Sequence, residues 1–184
     1  GAQLEGFDTM VHLTEENDFM VLEGDEYLSS PIDRRPKFHL YQPNIALISG
    51  IAWDHINVFP TYENYVEQFE IFIAKITNGG ILVYNEDDAE VKRVAEAATN
   101  PIRKLAYSTP KYSVNDGVTL LETPEGDMPI EVFGAHNLNN LAGAKWICQN
   151  MGVDEADFYE AIASFKGASK RLEKIAEGKG KVAY

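Results

Sequence analysis

An α/β domain, a mostly parallel sheet flanked by helices, is the fold this 184-residue chain predicts. Three observations carry that reading. Short strand-like runs alternate with helix-periodic ones, as a sheet covered by helices requires. Two of the runs, Phe19–Leu22 and Ile45–Ile48, are apolar at nearly every position, so both faces of each strand should be covered. Between Arg103 and Phe133 the alternation gives way to Thr, Tyr, Val and turn residues, which predicts a small antiparallel β excursion.

The elements follow in order. From Thr61 to Ile76 the residues Tyr62, Tyr65, Val66, Phe69, Phe72, Ile73 and Ile76 recur at helical spacing and form one apolar stripe. Gly79 and Gly80 close that helix, and Ile81–Tyr84 reads as the next buried strand. Residues 85–88, Asn-Glu-Asp-Asp, then start a helix over Ala89 to Ala98. Within the excursion, Pro124 to Asp127 separates two short runs. A strand-like stretch, Ile130 to Phe133, leads into a helix from about Asn137 to Asn150. A second helix is expected over Asp154 to Phe165, followed by a Lys-rich tail over 166–181.

Composition narrows the functional classes. Hydrophobic residues are 45% and charged residues 24% of the chain, ordinary values for a globular protein of one domain, residues 1–184. The net charge of -13 repels a phosphate backbone, and no basic strip offsets it, which argues against a nucleic-acid partner. No apolar run approaches the roughly 20 residues of a membrane span, and no signal-peptide pattern opens the chain. The single Cys148 can form no internal disulfide. A cytoplasmic location with no membrane partner is therefore expected.

Four segments are candidates for chemistry. The first is Gly134-Ala135-His136-Asn137-Leu138-Asn139-Asn140, at a strand-to-helix junction. An Asn there can cap orphan N–H groups, and Asn140 on the same face can present a carboxamide, donor and acceptor together, to the edge of an adenine. The second is Glu23-Gly24-Asp25-Glu26, three carboxylates that suit either a hard cation such as magnesium or a solvated acidic turn. Asp54-His55 is the third; its histidine can ligate a metal, orient metal-bound water, or serve only the turn. The fourth runs from Phe165 to Glu173, where Arg171 can clamp a terminal phosphate or simply end a basic helix. His12 and His39 alternate with apolar neighbours and read as structural.

In this order the segments resemble the central ATP-binding domain of the Mur ligases. The likeness covers essentially the whole chain, through Phe19 to Tyr27, Arg35 to Phe38, Trp53-Asp54-His55, Gly134-x-His136-Asn137-x-x-Asn140 and Phe165-x-Gly167-x-x-x-Arg171-x-Glu173. Glu23-x-Asp25-Glu26-Tyr27 and Lys37-Phe38 favour the murein-recycling branch. That branch joins UDP-N-acetylmuramate to the tripeptide L-alanyl-γ-D-glutamyl-meso-diaminopimelate through an acyl phosphate, using ATP and magnesium. The resemblance implies catalytic roles for Glu23, His55 and Arg171, with Glu23 and His55 serving magnesium. It places Asn137 and Asn140 on the nucleotide, Asn140 nearest the adenine, with Arg171 on the γ-phosphate and His136 in support.

The departures from the family pattern are as informative. Gly50-Ile51-Ala52 stand where Asn-Ile-Glu is usual. Gln68-Phe69-Glu70 occupy the region of a carbamylated lysine found in several Mur ligases, so none is expected. The sequence contains no Gly-x-x-x-x-Gly-Lys-Ser/Thr phosphate loop. The chain is therefore read as a fragment of the central domain, without phosphate loop, N-terminal or C-terminal domains, and inactive alone. The competing readings are a UDP-N-acetylmuramate L-alanine ligase, a more remote folylpolyglutamate synthase relative, and a non-catalytic nucleotide-binding or interaction domain. A metal-dependent hydrolase has too few metal-type ligands to compete.

Overall fold

The computed structural model describes residues 9, 11–167, 176–178 and 181–183. They fall into two compact units. The larger comprises Val21–Pro110 and Gly134–Phe158, and the smaller residues 1–20, Lys111–Phe133 and Tyr159–Tyr184.

The larger unit is built on three parallel strands, β1 (Ile45–Ile48), β2 (Ile81–Asn85) and β3 (Arg103–Tyr107), in the order β1-β2-β3. Ile45 lies opposite Ile81, and Ile81 opposite Arg103. Parallel neighbours need crossovers, and here helices supply them. Helix α1 (Tyr62–Ala74) joins β1 to β2, and α2 (Ala89–Ala97) joins β2 to β3. The predicted apolar stripe is the buried face of α1, where Tyr65, Val66, Phe69, Phe72 and Ile73 pack with Phe38, Leu82, Val91 and Val94 in one core. Each fully buried aliphatic side chain there contributes about 1.5–3 kcal/mol of transfer free energy.

Both crossover helices carry the N-terminal side chains that backbone chemistry favours. Thr61 Oγ1 accepts from Asn64 N, while Asp88 Oδ1 accepts from the N–H groups of Glu90 and Val91. Helix α3 (Ala135–Asn150) follows, held close to the sheet by Gly143. A Cβ at Gly143 would sit 2.9 Å from the Tyr107 hydroxyl and 3.0 Å from Leu47 Cδ1. Only the absence of a side chain permits that approach.

The antiparallel excursion is present in the smaller unit as β4 (Tyr112–Asn115), β5 (Val118–Thr123) and β6 (Gly126–Ile130). Thr119 and Leu121 point to its buried side. Helix α4 (Glu155–Ala163), within which the two units divide, precedes the paired strands β7 (Ala176–Gly178) and β8 (Lys181–Ala183).

Four expectations are corrected. Phe19–Leu22 is no strand: it bonds to no ladder among the described residues, and its side chains are 53% to 81% exposed. Its apolar composition signals a wish for burial, whereas a strand also needs a neighbour for its backbone groups. Arg103–Tyr107 belongs to the parallel sheet rather than the excursion; its burial is partial because it is an end strand. The strand before α3 stops at Ile130 instead of Phe133. Finally, α3 starts at Ala135 with Gly134 as its cap, so Asn137 lies inside the first turn and does not cap it.

Candidate active site

At the carboxyl ends of β1, β2 and β3, where open α/β sheets collect ligand-facing groups, the segment leading to His55 and the start of α3 are tied to the strand ends through Ser49, Asn85, Thr109 and Asn139. After β1 the chain is pinned at two points. Asn85 Nδ2 donates to Ser49 O at 2.9 Å, and Ile51 N donates to Asp88 Oδ2 at 3.0 Å. Asp88 thus supports the Gly50–Ala52 segment.

That support leads to His55, whose φ is 54°. A left-handed backbone at a non-glycine residue is costly and must be held by its surroundings. Here His55 O accepts from Val58 N at 2.7 Å and Phe59 N at 2.9 Å, while His55 N donates to Asp54 Oδ1 at 2.6 Å. The imidazole lies against the Tyr27 ring, with centroids 4.7 Å apart. Its Nε2 is 3.4 Å from Glu26 Oε1 and 3.9 Å from Asp54 Oδ2.

The acidic turn divides its labour. Asp25 Oδ2 pairs with Lys37 Nζ at 2.5 Å and its Oδ1 accepts from Tyr27 N. Burial pushes the Asp25 carboxyl up, but the Lys37 and Tyr27 hydrogen bonds prevail and hold it below 3.8. Glu23 is exposed, its charge felt at Lys37. Glu26 is the carboxylate that reaches His55, and it also accepts from the Tyr65 hydroxyl at 3.3 Å. Burial, then the Glu26 charge, raises the Tyr65 hydroxyl well above its ordinary range. A half-open cleft of about 340 Å³ lies here, with Glu26, Asp54, Ser49 and Gly50 among its polar lining and Phe38 and Phe69 among its apolar lining.

The second assembly is the start of α3. The ring of His136 folds back to within 3.1 Å of where a Gly134 Cβ would stand, and Gly134 has φ 83°. Asn140 and His136 are exposed and Asn137 is half-buried. Asn139, between them, is buried, and its Nδ2 donates to Asn85 Oδ1 at 3.0 Å, Thr109 Oγ1 at 3.1 Å and Asp87 Oδ2 at 3.5 Å. Asp87 Oδ2 also accepts from Thr109 N at 2.7 Å and Thr109 Oγ1 at 2.8 Å. Through Asn85 the α3 turn is thereby linked to Ser49 and the segment leading to His55.

Of the predicted set, Glu23, His55, His136, Asn137 and Asn140 all lie in the larger unit. Arg171 lies outside the described residues. Tyr65, Asp87, Thr109 and Asn139 were given no site role by the sequence reading, and Glu26 was read only as one carboxylate of the acidic turn. Position after a strand could have flagged Asp87, but only folding reveals that Glu26 rather than Glu23 meets the imidazole. Among the described residues no group of three His, Cys, Asp or Glu side chains is placed to hold a metal ion. Magnesium takes oxygen ligands and commonly only one or two carboxylates of the protein, its shell completed by phosphate oxygens and water. A carboxylate of the acidic turn therefore fits it, whereas the imidazole of His55 suits a hydrogen bond to a metal-bound water rather than direct ligation.

Comparison with known proteins adds an independent line. The family profile described as "Mur ligase middle domain" matches residues 3–148. A UDP-N-acetylmuramate–L-alanyl-γ-D-glutamyl-meso-2,6-diaminoheptandioate ligase of Escherichia coli K12 is 28% identical over 191 residues, covering 97% of this chain and 40% of that protein. A UDP-N-acetylmuramate–L-alanine ligase of Thermobifida fusca is 30% identical over 182 residues, covering 91% and 37%. The fold matches the solved UDP-N-acetylmuramate:L-alanyl-γ-D-glutamyl-meso-diaminopimelate ligase of Neisseria meningitidis with TM-score 0.64 and 23% identity, over 79% of this chain and 47% of that one. It also matches MurF of Acinetobacter baumannii with TM-score 0.63 and 19% identity, over 76% and 33%. The chain thus spans about 40% of the length of the curated relatives it matches.

Proposed function

The chain belongs to the Mur ligase middle domain family, and from that premise we propose that it is the nucleotide-binding part of an ATP-dependent ligase of peptidoglycan recycling. The proposed reaction joins UDP-N-acetylmuramate to L-alanyl-γ-D-glutamyl-meso-diaminopimelate. The observation that carries this reading is the linked rim of the larger unit, where Asn139, Asn85 and Ser49 tie the α3 motif to the His55 segment. The curated relatives of both substrate types match over nine-tenths of the chain, and the Glu23-x-Asp25-Glu26-Tyr27 run favours the tripeptide.

In the proposed chemistry the muramyl carboxylate attacks the γ-phosphorus of ATP and ADP leaves. The peptide amine then attacks the acyl phosphate carbonyl, loses a proton, and expels phosphate as the amide forms. Alignment of the reactants is the main demand on the protein. Asn137 and Asn140 hold the nucleotide, Asn140 on the adenine edge, with His136 in support. Arg171 is assigned to the γ-phosphate by family likeness alone. Glu23 and His55 are assigned to magnesium, which when bound screens the crowded phosphate oxygens. Glu26 and Asp54, which line the cleft, orient the imidazole of His55 beside it.

Alone, the 184-residue chain is expected to form no amide and to bind ATP weakly, because its sequence holds no phosphate loop. The decisive assay uses the full-length protein with UDP-N-acetylmuramate, ATP and either the tripeptide or L-alanine. Amide formation with the tripeptide supports the proposal. Preference for L-alanine moves the chain to the biosynthetic branch, and ATP hydrolysis without amide under both conditions rejects the ligase reading. We place the protein in the cytoplasm, where these nucleotide substrates are made.

A further inference from the structure

We infer that Asn139, the carboxamide buried between the two exposed motif residues of α3, is a positioning residue that sets how this helix presents Asn140 to the nucleotide base. The inference rests on the adenine reading proposed above. Successive residues of a helix lie about 100° apart around its axis, so fixing one side chain fixes the bearing of the next. Asn139 is 8% exposed and its Nδ2 reaches three acceptors on two strand ends: Asn85 at the end of β2, Asp87 just after it, and Thr109 just after β3. Gly143, one turn further on the same face, rests on Tyr107 and Leu47. Together the two contacts clamp both the rotation and the depth of the first turns.

The acceptors are themselves fixed. Asp87 Oδ2 receives Thr109 through both its backbone N–H and its hydroxyl, and Asn85 donates onward to Ser49. An Asn at position 139 therefore finds rigid partners and gains specificity of orientation as well as hydrogen-bond energy. Among the described residues, the exposed Asn140 side chain has no such anchor. Its direction is inherited from Asn139.

The test compares four variants of the full-length protein, Asn139→Ala, Thr109→Val, Thr109→Ser and Asn140→Ala, measuring dissociation constants for ATP and GTP together with Tm. Thr109→Val removes an acceptor of Asn139 at constant shape, and Thr109→Ser restores the hydroxyl. The inference expects Asn139→Ala and Thr109→Val to lower the ATP-over-GTP preference by about tenfold, as Asn140→Ala does, with Thr109→Ser close to wild type. A lowered Tm with an unchanged ATP:GTP ratio in both Asn139→Ala and Thr109→Val would overturn it, making Asn139 a purely structural residue, while a selective loss in Asn140→Ala left the adenine reading intact. If no variant, Asn140→Ala included, changes the ratio, the adenine reading itself fails and the inference falls with it. Should Asn139→Ala not fold, the Thr109 pair decides alone.

Discussion

Single residues of the larger unit carry opposing demands, and His39 shows one clearly. It stacks on Phe38, with ring centroids 4.9 Å apart, and its Nε2 lies 2.8 Å from Gln68 O, to which the neutral ring donates. Burial lowers its pKa below 6.5; the Gln68 bond opposes this, and nearby Lys75 and Arg35 add to the lowering. The unfolded chain therefore takes up the proton first. Stability from this group is complete above 6.5 and declines as pH falls from 6.5 toward the lower folded value. Urea unfolding on either side of 6.5 should show that decline, and His39→Gln should flatten it; equal slopes would contradict the account. Gly143 carries a steric demand instead. Gly143→Ala gains about 1 kcal/mol of helix propensity but drives a methyl into the buried Tyr107 ring, at a cost of about 1–3 kcal/mol. A net loss in unfolding free energy is expected, and a gain would show that α3 can lift off the sheet. The Tyr107 hydroxyl, buried and without a hydrogen-bond partner among the described residues, is pushed up to about 12 by that burial and by Asp87.

At the scale of elements, legibility followed periodicity. The α1 stripe was readable because seven apolar residues repeat at helical spacing, and burial confirms it at Tyr65, Val66, Phe69, Phe72 and Ile73. β1 and β2 were readable as continuous apolar runs. Phe19–Leu22 looks the same in sequence yet forms no strand, because an apolar run specifies a preference for burial without specifying a partner. Arg103–Tyr107 failed the opposite way: an end strand tolerates Arg103 and Lys104, so its pattern hid its parallel pairing. The acidic turn was visible, but residues 25–38 fold back through Lys37 N to Tyr27 O and Phe38 N to Asp25 O, and that return path selects Glu26 for His55. Element boundaries also bind the site together. Asp88 caps α2 through Oδ1 and holds Ile51 through Oδ2, so Asp88→Ala should cost about 2 kcal/mol of stability, and Asp88→Asn, which keeps one accepting oxygen for the helix cap but turns an NH2 toward Ile51 N, an intermediate amount. Chemical denaturation measures both; an Asp88→Ala variant as stable as the wild type would contradict the account. Gly80 marks another boundary. A Cβ there would lie 2.7 Å from Thr77 O and 2.8 Å from Asn44 O, both backbone atoms, so Gly80→Ala should destabilise more than Gly143→Ala.

For the whole molecule, the family and the sheet-with-helices plan were legible from motif order, and the family profile and the fold agree with them. The division into two compact units was not, since nothing in the composition marks Met20, Lys111 or Tyr159 as a boundary. Of the candidate site, the residue types and their place at strand ends were readable. The buried Asn139 node was not, because adjacent asparagines are chemically identical until a helix gives them different faces. The central claim is that α3 begins an adenine site in an ATP-dependent ligase. Photo-cross-linking of the full-length protein with 8-azido-ATP, followed by peptide mapping, tests it most directly. ATP-protected label on the peptide spanning residues 134–143 is the expected result; protected label confined to segments away from that turn, with none on it, would contradict the account.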